Sequence, residues 1–445
     1  MDMATKKRRR LSPSLIIILG FLGAVVIGTL LLMLPVSSRP GNMTSVSDAL
    51  FTSVSAVCVT GLVVKDTASY WSYFGQAVIL VLIQLGGLGV VTVAASFSLA
   101  AGRKISLMTR STMQSAISAP QMGGIVKLTK FVIRGTLIVE TIGAIALIPG
   151  FVSKYGAAGI WKAVFHSVSA FCNAGFDIMG ANTGAFSSLT GFSGNAAVTV
   201  PIMLLIVIGG IGFVTWDDVR TNRFHLSKYR MQSKVVLSVT GILILIPAIV
   251  LFFRDYRGLP IGERLLSSLF QSVTPRTAGF NTTDLTKLSG PSKAMMTGLM
   301  LIGGSPGSTA GGMKTTTIAL IAANVIATFK KRNDICFFGR RVDCSAAKNA
   351  ATIFTMYLVL FILCGAAISM IEGLPVGDCF FETASAIGTV GLSLGITTKL
   401  SIISKLILML LMFAGRVGGL TLVYAFLPSN GKVSSKYPLE SITVG

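Results

Sequence analysis

The segment DALFTSVSAVCVTGL at residues 48–62 has a pattern that returns three more times along the chain. The counterparts are KAVFHSVSAFCNAGF at 162–176, SSLFQSVTPRTAGF at 267–280 and DCFFETASAIGTVGL at 378–392. Each is a short amphipathic run followed by small residues that end at a Gly. A Phe precedes that Gly by ten positions in three copies. Phe270 precedes Gly279 by nine, so one residue is missing or Leu269 takes the role of the Phe. The spacing of about 105 to 115 residues indicates an internal fourfold repeat.

The composition places these repeats in a membrane protein. Of 445 residues, 52% are hydrophobic and 12% are charged, and the mean hydropathy is +0.77. Soluble chains carry about 25% charged residues, so half that share, with apolar runs of about twenty residues, predicts several membrane spans. Eight spans are predicted, which puts both termini on the same side. They lie at 13–34, 72–100, 131–149, 198–216, 234–253, 293–329 (broken in the middle), 352–371 and 402–426.

Basic residues identify the cytosolic side. The net charge is +22, and the basic clusters fall before the first span and between alternate pairs of spans, hence on one face. Basic loops favour the cytoplasm, so we predict a multi-pass protein of the cytoplasmic membrane with both termini cytosolic. Such a face also attracts anionic membrane lipids. Nucleic-acid binding is not expected, because the charge sits in short loops beside spans. The clusters are Lys6, Lys7, Arg8, Arg9 and Arg10; Arg103, Lys104, Arg110, Lys127, Lys130 and Arg134; Arg220, Arg223, Lys228, Arg230 and Lys234; and Lys330, Lys331, Arg332, Arg340, Arg341 and Lys348.

Each repeat is predicted to contain a span, a short helix, a Gly-ended segment and a second span. The four Gly-ended segments then fall on the outer, less basic side. The predicted fold is an all-α integral membrane protein with four pseudo-repeats of transmembrane helix, pore helix, filter segment and transmembrane helix around a central pore. The predicted repeats cover 1–105, 106–222, 223–332 (with a broken second helix) and 333–445.

A fourfold arrangement of this kind has a physical purpose. Four short helices that enter the membrane halfway direct their partly negative C-terminal ends at a common axis. The segments that follow can turn backbone carbonyls inward and replace the hydration shell of a cation. Gly suits such a segment because it reaches backbone conformations that other residues avoid. Irregular backbone at membrane depth is tolerated only where it is buried in protein or lines a cavity.

The four Gly-ended segments, VCVTGL, FCNAGF, RTAGF and GTVGL, resemble the degenerate filters of the Trk/Ktr/HKT superfamily of cation transporters. The whole chain resembles the membrane subunits of bacterial Ktr potassium uptake systems. The resemblance implies potassium uptake through one pore in each chain, and a homodimer with two pores. It also implies a separate cytosolic ring, KtrA, that binds nucleotide and controls the gate, so no cofactor is expected in this chain.

The resemblance also implies which residues form the filter, by motif match. Potassium is expected to bind there to backbone atoms only. Two side chains, Asn173 and Arg276, depart from simple carbonyl-lining residues and leave the preference for potassium over sodium open. Coupling to sodium is left open as well. The expected filter residues are Val59, Thr60, Gly61, Asn173, Ala174, Gly175, Thr277, Ala278, Gly279, Thr389, Val390 and Gly391.

The stretch LIGGSPGSTAGGMKTTT at 301–317 looks at first like a nucleotide-binding P-loop. A P-loop needs G-x-x-x-x-G-K-[ST], but Met313 stands between the last Gly and Lys314, and the motif interrupts a span instead of following a soluble strand. A kink that serves packing is the alternative, although so many small residues exceed what a kink needs. The resemblance implies an intramembrane gate under the filter, at 303–317. The expected gate residues are Gly303, Gly304, Ser305, Pro306, Gly307, Ser308, Thr309, Ala310, Gly311, Gly312, Lys314 and Arg416.

Arg416 lies near the middle of the last predicted span, where a charge is expensive and normally faces a cavity or a partner. Its position resembles that of an Arg below the filter in the family. We expect it to set an electrostatic barrier beside the gate, and a salt bridge or snorkelling is the alternative. Lys314 could serve a similar role.

Other candidate residues receive structural interpretations. His166 and Glu382 occupy matching positions in two short helices, and Glu140 is an acid inside a span. Asp66 and Asp177 follow filter segments and could draw cations to the mouth, although solvated loop acids are the default. GGLG at 86–89 and GGIG at 209–212 match each other and indicate close helix packing or hinging.

No catalytic motif such as H-E-x-x-H or G-x-S-x-G is visible, so an enzyme is not expected. The six cysteines form no C-x-x-C pair, which argues against a disulfide framework or a zinc site. The alternative function is a sodium- or proton-coupled secondary transporter of a small organic solute, built on broken helices. The fourfold unit argues against it, because such carriers usually have a two-part inverted repeat.

Overall fold

The structure is a computed structural model that describes residues 12–100, 106–117, 123–332 and 334–426. The basic residues Lys6 to Arg10, Arg103 and Lys104 lie outside the described residues. The first two predicted repeats contain α1 (Pro13–Met33), α2 (Val46–Val57), α3 (Thr67–Tyr70), α4 (Tyr73–Leu88), α5 (Val90–Ala100), α6 (Leu107–Ile117), α7 (Ile125–Tyr155), α8 (Ala158–Phe171), α9 (Gly180–Thr183), α10 (Ala196–Gly210) and α11 (Phe213–Asn222). The last two contain α12 (Met231–Arg254), α13 (Ile261–Val273), α14 (Gly290–Leu301), α15 (Thr315–Phe329), a hairpin of β1 (Cys336–Phe337) and β2 (Arg340–Arg341), α16 (Cys344–Glu372), α17 (Val376–Ile387), α18 (Ile402–Val417) and α19 (Gly419–Phe426).

Several described helices are suited to cross a membrane, and the chain is an integral membrane protein. Four single helices, α1, α7, α12 and α16, are long and apolar enough for a span, and two bent pairs bring the number to six. The remaining two predicted spans correspond to α14 with α15 and to α18 with α19. Apolar side chains such as Leu30, Ile142 and Leu245 are more than half exposed along the long helices, as a lipid-facing surface requires.

Two predicted spans differ from the straight helices that the hydropathy indicated. The helices α4 and α5 meet at 95°, and α10 and α11 meet at 98°. Gly89 and Gly212 stand at the bends with φ of +84° and +91°, a region that other residues rarely adopt. Gly418 separates α18 from α19 with φ of +89°. The apolar pattern continues through these positions, so hydropathy alone did not indicate the turns.

The helices form a closed ring of four units. Each long helix packs against the short helix that follows it, in the pairs α1–α2, α7–α8, α12–α13 and α16–α17. We call each long helix, its short helix and the helix after the Gly-ended segment one unit, and this last helix its second helix. Each second helix packs against the short helix of the next unit, in the pairs α4–α8, α10–α13, α14–α17 and α18–α2. Because the last pair returns to the first unit, the C-terminal ends of the four short helices surround one centre.

The helix α6 lies at the predicted boundary between the first two repeats. A boundary at 105/106 assigns it to the second repeat, yet it packs against α1 and α5 of the first and against α7 of the second. The helix of the third predicted span, α7, starts earlier than predicted, so that Lys127, Lys130 and Arg134 belong to its first turns.

The structure shows which residue of the third repeat, Leu269 or Phe270, takes the place of the Phe. Phe270 is fully buried, as are Phe51, Phe165 and Phe381, whereas Leu269 is only partly buried. Each Phe is followed four positions later by a hydroxyl residue, which is Ser55, Ser169, Thr274 or Ser385. The missing residue therefore lies between Thr274 and Gly279, and Phe270 keeps the role of the Phe.

Candidate functional site

Four glycines, one from each Gly-ended segment, lie against one another at the centre of the ring. A methyl group built on Gly61 would lie 3.1 Å from Cα of Gly175, and one on Gly175 would lie 2.9 Å from Cα of Gly279. One on Gly279 would lie 3.3 Å from Cα of Gly391, and one on Gly391 would lie 2.9 Å from Cα of Gly61. We call these four residues the glycine ring. No larger residue fits here without displacing backbone.

The carbonyl just before each glycine lies beside the glycine of the preceding segment around the ring. The same added methyl groups would lie 2.4 Å from the carbonyl oxygen of Ala174, 2.6 Å from that of Ala278, 2.4 Å from that of Val390 and 2.1 Å from that of Thr60. The ring is thus surrounded by backbone oxygens from all four segments. Such oxygens are the ligands by which a filter replaces the water around a cation.

The segments leading to the ring have an unusual backbone. The first residue of each expected filter triplet has a positive φ, at +56° for Val59, +59° for Asn173, +71° for Thr277 and +52° for Thr389. The glycines of the ring are positive as well, between +68° and +93°. A left-handed conformation at a β-branched residue is strained and persists only where the surroundings impose it.

The short helices impose this backbone through repeated hydrogen bonds. The N–H groups of Thr60, Ala174 and Val390 donate to the carbonyls of Ser55, Ser169 and Ser385, each at 2.8 Å, and Ala278 donates to Thr274 at 3.0 Å. The side-chain hydroxyls of the same four Ser and Thr residues make a second set of hydrogen bonds to the segments. Those of Ser55 and Ser385 accept from the N–H of Gly61 and Gly391, and those of Ser169 and Thr274 donate to the carbonyls of Phe176 and Phe280.

A cavity of about 150 Å³ adjoins the glycine ring and is lined by all four of its glycines, on the side predicted to be outer. Asp66 and Asp177 line it too, and both carboxylates hold local structure. Asp66 accepts from the N–H of Ser69 and of Phe186, and Asp177 accepts from the N–H of Met179. Burial raises the pKa of the Asp177 carboxyl to about 6, the repulsion of Asp66 adds to this, and the hydrogen bond from Met179 opposes it.

The central loop, residues 302–314, lies on the other side of the ring. Most of it is buried, and it bonds to the ends of the second helices of the second and fourth units. Its Ser305 and Thr309 N–H groups donate to the carbonyls of Gly210 and Gly209, and Gly312 donates to Gly415. The Thr309 hydroxyl also donates to the carbonyl of Phe171, at the end of α8. The loop is therefore fixed to several units at once.

The central loop reaches the fourth filter segment directly. A methyl group on Gly311 would lie 2.2 Å from the hydroxyl oxygen of Thr389, and one on Gly312 would lie 2.8 Å from the carbonyl oxygen of Gly388. Small residues are thus required for the contact between loop and segment. The structure brings the expected gate residues into contact with the expected filter residues.

Two cationic side chains donate hydrogen bonds to three successive carbonyls of the central loop. Arg416 donates to the carbonyl of Thr309, and Lys314 donates to those of Ala310 and Gly311 at 2.7 and 3.2 Å. Arg416 also donates to the carbonyls of Gly86 at 2.5 Å and Gly87 at 2.9 Å. Within the described part of the chain, no carboxylate pairs with Arg416. The salt-bridge alternative is therefore wrong for those residues, and carbonyls hold the charge.

A second cavity, of about 180 Å³, lies beyond the central loop. It is lined by Lys314 and Arg416 together with Ser308 and Ala310, and by residues at the bend of the first unit. The glycine ring thus has a cavity lined by carboxylates on one side and a cavity lined by two cationic side chains on the other. Among the described residues, no three His, Cys, Asp or Glu side chains converge as a resident metal site would need.

The remaining sequence candidates have structural partners. The His166 ring stacks near Phe151 and Phe280, and its Nδ1 pairs with the carbonyl of Lys162. Glu382 accepts hydrogen bonds from Ser393 and Thr397 in the loop that follows the fourth segment. Glu382 therefore ties the short helix α17 to the loop that follows it, and His166 packs inside the second unit and against Phe280.

Glu140 bonds to neighbouring helices, as expected for a lone acid in a span. Its carboxylate accepts a hydrogen bond from the side chain of Gln84 at 3.2 Å and lies 3.9 Å from the sulfur of Cys172. The matching glycines also pack closely, since a methyl group on Gly86 or Gly209 would lie 2.1 or 2.0 Å from a carbonyl at the end of a short helix. The sequence did not indicate that Gly209 and Gly210 hold the central loop. Their match with GGLG was the available signal.

Known proteins to which this chain is similar are described as transport or uptake proteins for cations. The family described as "TrkH: Cation transport protein" matches residues 4–435. The chain is 39% identical to "Potassium/sodium uptake protein NtpJ" of Enterococcus hirae, over 100% of this chain and 99% of that protein. It is 36% identical to "Ktr system potassium uptake protein B" of Bacillus subtilis, over 98% and 97%. The solved structure of the potassium transporter TrkH from Vibrio parahaemolyticus superimposes with a TM-score of 0.73 at 21% identity, over 95% of this chain and 86% of the other, and supports the fold.

Proposed function

This chain belongs to the TrkH family of cation transport proteins, and from that membership we propose that it carries potassium ions across the cytoplasmic membrane into the cell. Relatives that match nearly the whole chain are named for potassium uptake, and one for uptake of potassium and sodium. The observation that carries the proposal is the glycine ring with an acidic cavity on one side and the central loop on the other.

The filter in this proposal consists of the four triplets that end at the glycine ring. Their backbone oxygens would replace the water around the ion, and the carboxylates of Asp66 and Asp177 would raise the local concentration of cations at the outer mouth. In a ring of four nonidentical segments, selectivity depends on how firmly each segment is held. The hydrogen bonds that the hydroxyls of Ser55 and Ser385 accept, and those that Ser169 and Thr274 donate, supply that support.

The gate in this proposal is the central loop. It closes the path directly below the fourth filter segment, and Lys314 and Arg416 hold its carbonyls. Opening requires that the loop leave this position, because Gly311 lies against Thr389. The fixed cations would repel a permeating cation for as long as the loop stays closed.

Regulation by a cytosolic partner is part of the proposal. One relative is named as protein B of a Ktr system, which supports partner subunits, and we expect a nucleotide-binding ring of the KtrA type and a homodimer of this chain. The docking face would be basic, and Arg110, Lys330, Lys331, Arg340 and Arg341 are exposed on it. Replacing these five residues with Gln should abolish binding of the ring in a pull-down assay. Intact binding would exclude this face.

The deciding experiment is flux of potassium and of sodium into liposomes that hold the purified protein. One variant deletes residues within 305–311 so that the central loop is too short to close the path. We expect potassium influx that exceeds sodium influx and that increases in the deletion variant. If neither cation enters either protein, the pore is excluded and the alternative, a coupled carrier of a small organic solute, has to be tested. If sodium enters as fast as potassium, the proposed preference fails but the pore remains.

A further inference from the structure

The third filter segment is one residue shorter than the others, and its turn is built differently. In the first, second and fourth segments, the N–H groups of Val59, Asn173 and Thr389 donate to the carbonyls of Ala56, Ala170 and Ala386. In the third, the N–H of Arg276 makes the equivalent bond to Val273. The segment also contains Pro275, which has no N–H to donate. Thr277 therefore leaves the short helix without the local bond that fixes its three counterparts.

A side chain from the neighbouring segment holds this position. The amide of Asn173 lies 3.1 Å from the hydroxyl oxygen of Thr277. Turning the amide so that its nitrogen faces the carbonyls of Ala170, Phe171 and Ile206, at 3.2 to 3.3 Å, leaves its oxygen to accept from Thr277. This orientation is favoured, because a carbonyl can only accept a hydrogen bond and the amide oxygen cannot donate one. The bond between Asn173 and Thr277 exists in either orientation.

The surroundings leave Asn173 little freedom to move. It is 1% exposed, and a methyl group on Gly209 would lie 3.0 Å from the nearer terminal atom of its amide. The carbonyl of Phe171, which the turned amide reaches, also accepts the hydroxyl of Thr309 in the central loop. Asn is also suited to the backbone here, since its φ is +59° and Asn tolerates that region better than most residues.

The other first positions have no such cross-link among the described residues. Val59 carries no polar side-chain atom, and the buried hydroxyl oxygen of Thr389 has no hydrogen-bond partner. The link therefore occurs at one of the four junctions, next to the segment whose own turn is incomplete. The backbone hydrogen bond that Thr277 lacks and the side-chain bond from Asn173 occur at the same place. This indicates that Asn173 positions the third segment.

We propose that the hydrogen bond between Asn173 and Thr277 is a brace that fixes the third segment and so determines which monovalent cation the ring accepts. This rests on the proposed filter function. A ring that is held open at one diameter replaces the hydration shell of a large cation better than that of a small one, and a ring that can contract discriminates less. Losing the brace should therefore lower the preference for potassium over sodium, while the ring itself stays formed.

The test compares paired variants in liposomes, with potassium and sodium influx measured on the same preparation. Thr277→Val removes the hydroxyl at nearly constant volume, and Thr277→Ser keeps it. Asn173→Gly removes the amide and still accepts a positive φ. Thr282→Val is the matched control, because Thr282 is a buried threonine just past the same segment whose hydroxyl has no partner among the described residues.

The brace predicts that Thr277→Val and Asn173→Gly each lower the ratio of potassium to sodium influx by about two- to tenfold, as losing one net hydrogen bond would. Thr277→Ser and Thr282→Val should keep the ratio. The double variant Asn173→Gly with Thr277→Val should be no worse than Asn173→Gly alone, because Asn173→Gly has already removed the bond to Thr277. The ratio does not depend on how much protein folds.

The outcomes separate the brace from the proposed function. An unchanged ratio in Thr277→Val and Asn173→Gly, with selective flux through the unchanged protein, would overturn the brace alone. Additive losses in the double variant would also overturn it. Absence of any cation flux through the unchanged protein and through the loop-deleted variant would overturn the proposed function and the brace together.

Discussion

The guanidinium of Arg416 donates a hydrogen bond to the backbone carbonyl of Thr309, and so ties α18 to the middle of the central loop. The same side chain donates to Gly86 and Gly87 of the first unit. One arginine therefore spans three of the four units below the glycine ring. Breaking its bonds should release the central loop without touching the filter.

Arg416→Ser should increase potassium influx about ten- to hundredfold, since a hydrogen bond from a charged group contributes about 1.5–3 kcal/mol to the state that contains it. Influx into liposomes measures this directly. Arg416→Lys is the matched control, because it keeps the charge but cannot reach three carbonyls with one ammonium group. An intermediate flux is expected for Lys. Unaltered flux in Arg416→Ser would exclude both the barrier and the tie.

Lys314→Met should also increase influx, by about tenfold, because the ammonium group holds the carbonyls of Ala310 and Gly311 in the closed loop. The side chain of Met has a similar length and no charge. Lys330→Met, at the exposed end of α15, removes an equal charge from the same element and should leave influx unchanged. Equal effects of both variants would show that net charge, and not the contact with the loop, is responsible.

The sequence predicted the parts of the site that repeat. Four copies of one pattern identified the glycines at 61, 175, 279 and 391, because a ring needs the same backbone freedom at each of its corners. The density of small residues located the central loop. Both features are patterns of neighbouring residues, and such patterns can be recognised in one sequence without knowledge of the packing.

The sequence could not predict contacts that depend on packing between units. Spacing alone left Leu269 and Phe270 as alternatives, and only the burial of Phe270 and the bonds of Thr274 resolved them. The bends at Gly89 and Gly212 lie inside continuous apolar runs, and hydropathy does not register a change of direction. The link between Asn173 and Thr277 joins residues about a hundred positions apart, and no local pattern marks it.

Gly391→Ser should abolish selective potassium influx. An added side chain would begin 2.1 Å from the carbonyl oxygen of Thr60, and the φ of +93° disfavours any residue other than Gly. Gly377→Ala, in the short helix of the same unit, is the control, because a methyl group there meets nothing within 4 Å. Measured side by side in liposomes, only the first variant should lose selectivity. Retained selectivity in Gly391→Ser would contradict a filter at the ring.

Gly209→Ala should displace the central loop. Its methyl group would lie 2.0 Å from the carbonyl oxygen of Phe171 and 2.9 Å from the hydroxyl oxygen of Thr309. The end of α8 and the loop both have to move, so we expect a raised potassium leak and a lower melting temperature. Gly241→Ala, in α12, meets nothing within 4 Å and should behave as the unchanged protein. A stable variant with normal flux would show that the loop does not depend on this contact.

Potassium uptake should depend on external pH through Asp177. Burial raises the pKa of this carboxyl to about 6, so it is charged at about pH 7 and becomes neutral as the pH falls below that value. Its negative charge then no longer attracts cations into the cavity, which Asp66 also lines, while the ammonium of Lys162 lowers the pKa of Asp177 and opposes its protonation. A unit charge a few ångströms from the ion contributes about 1 kcal/mol in water-like surroundings, so the apparent KM for potassium should rise about fivefold between about pH 7 and about pH 5.

Asp177→Asn should show the high KM at both pH values, because the neutral side chain has no proton to lose. Asp284→Asn is the matched control. Asp284 is an exposed acid of the outer loops whose pKa is lowered by its hydrogen bond to the Thr286 side chain, so it stays charged at about pH 5 and contributes no titration in this window. The control should keep the pH dependence of the unchanged protein. If Asp177→Asn keeps it too, the titrating group lies elsewhere, and the carboxylate of Asp177 serves only to hold the N–H of Met179 in the outer loop.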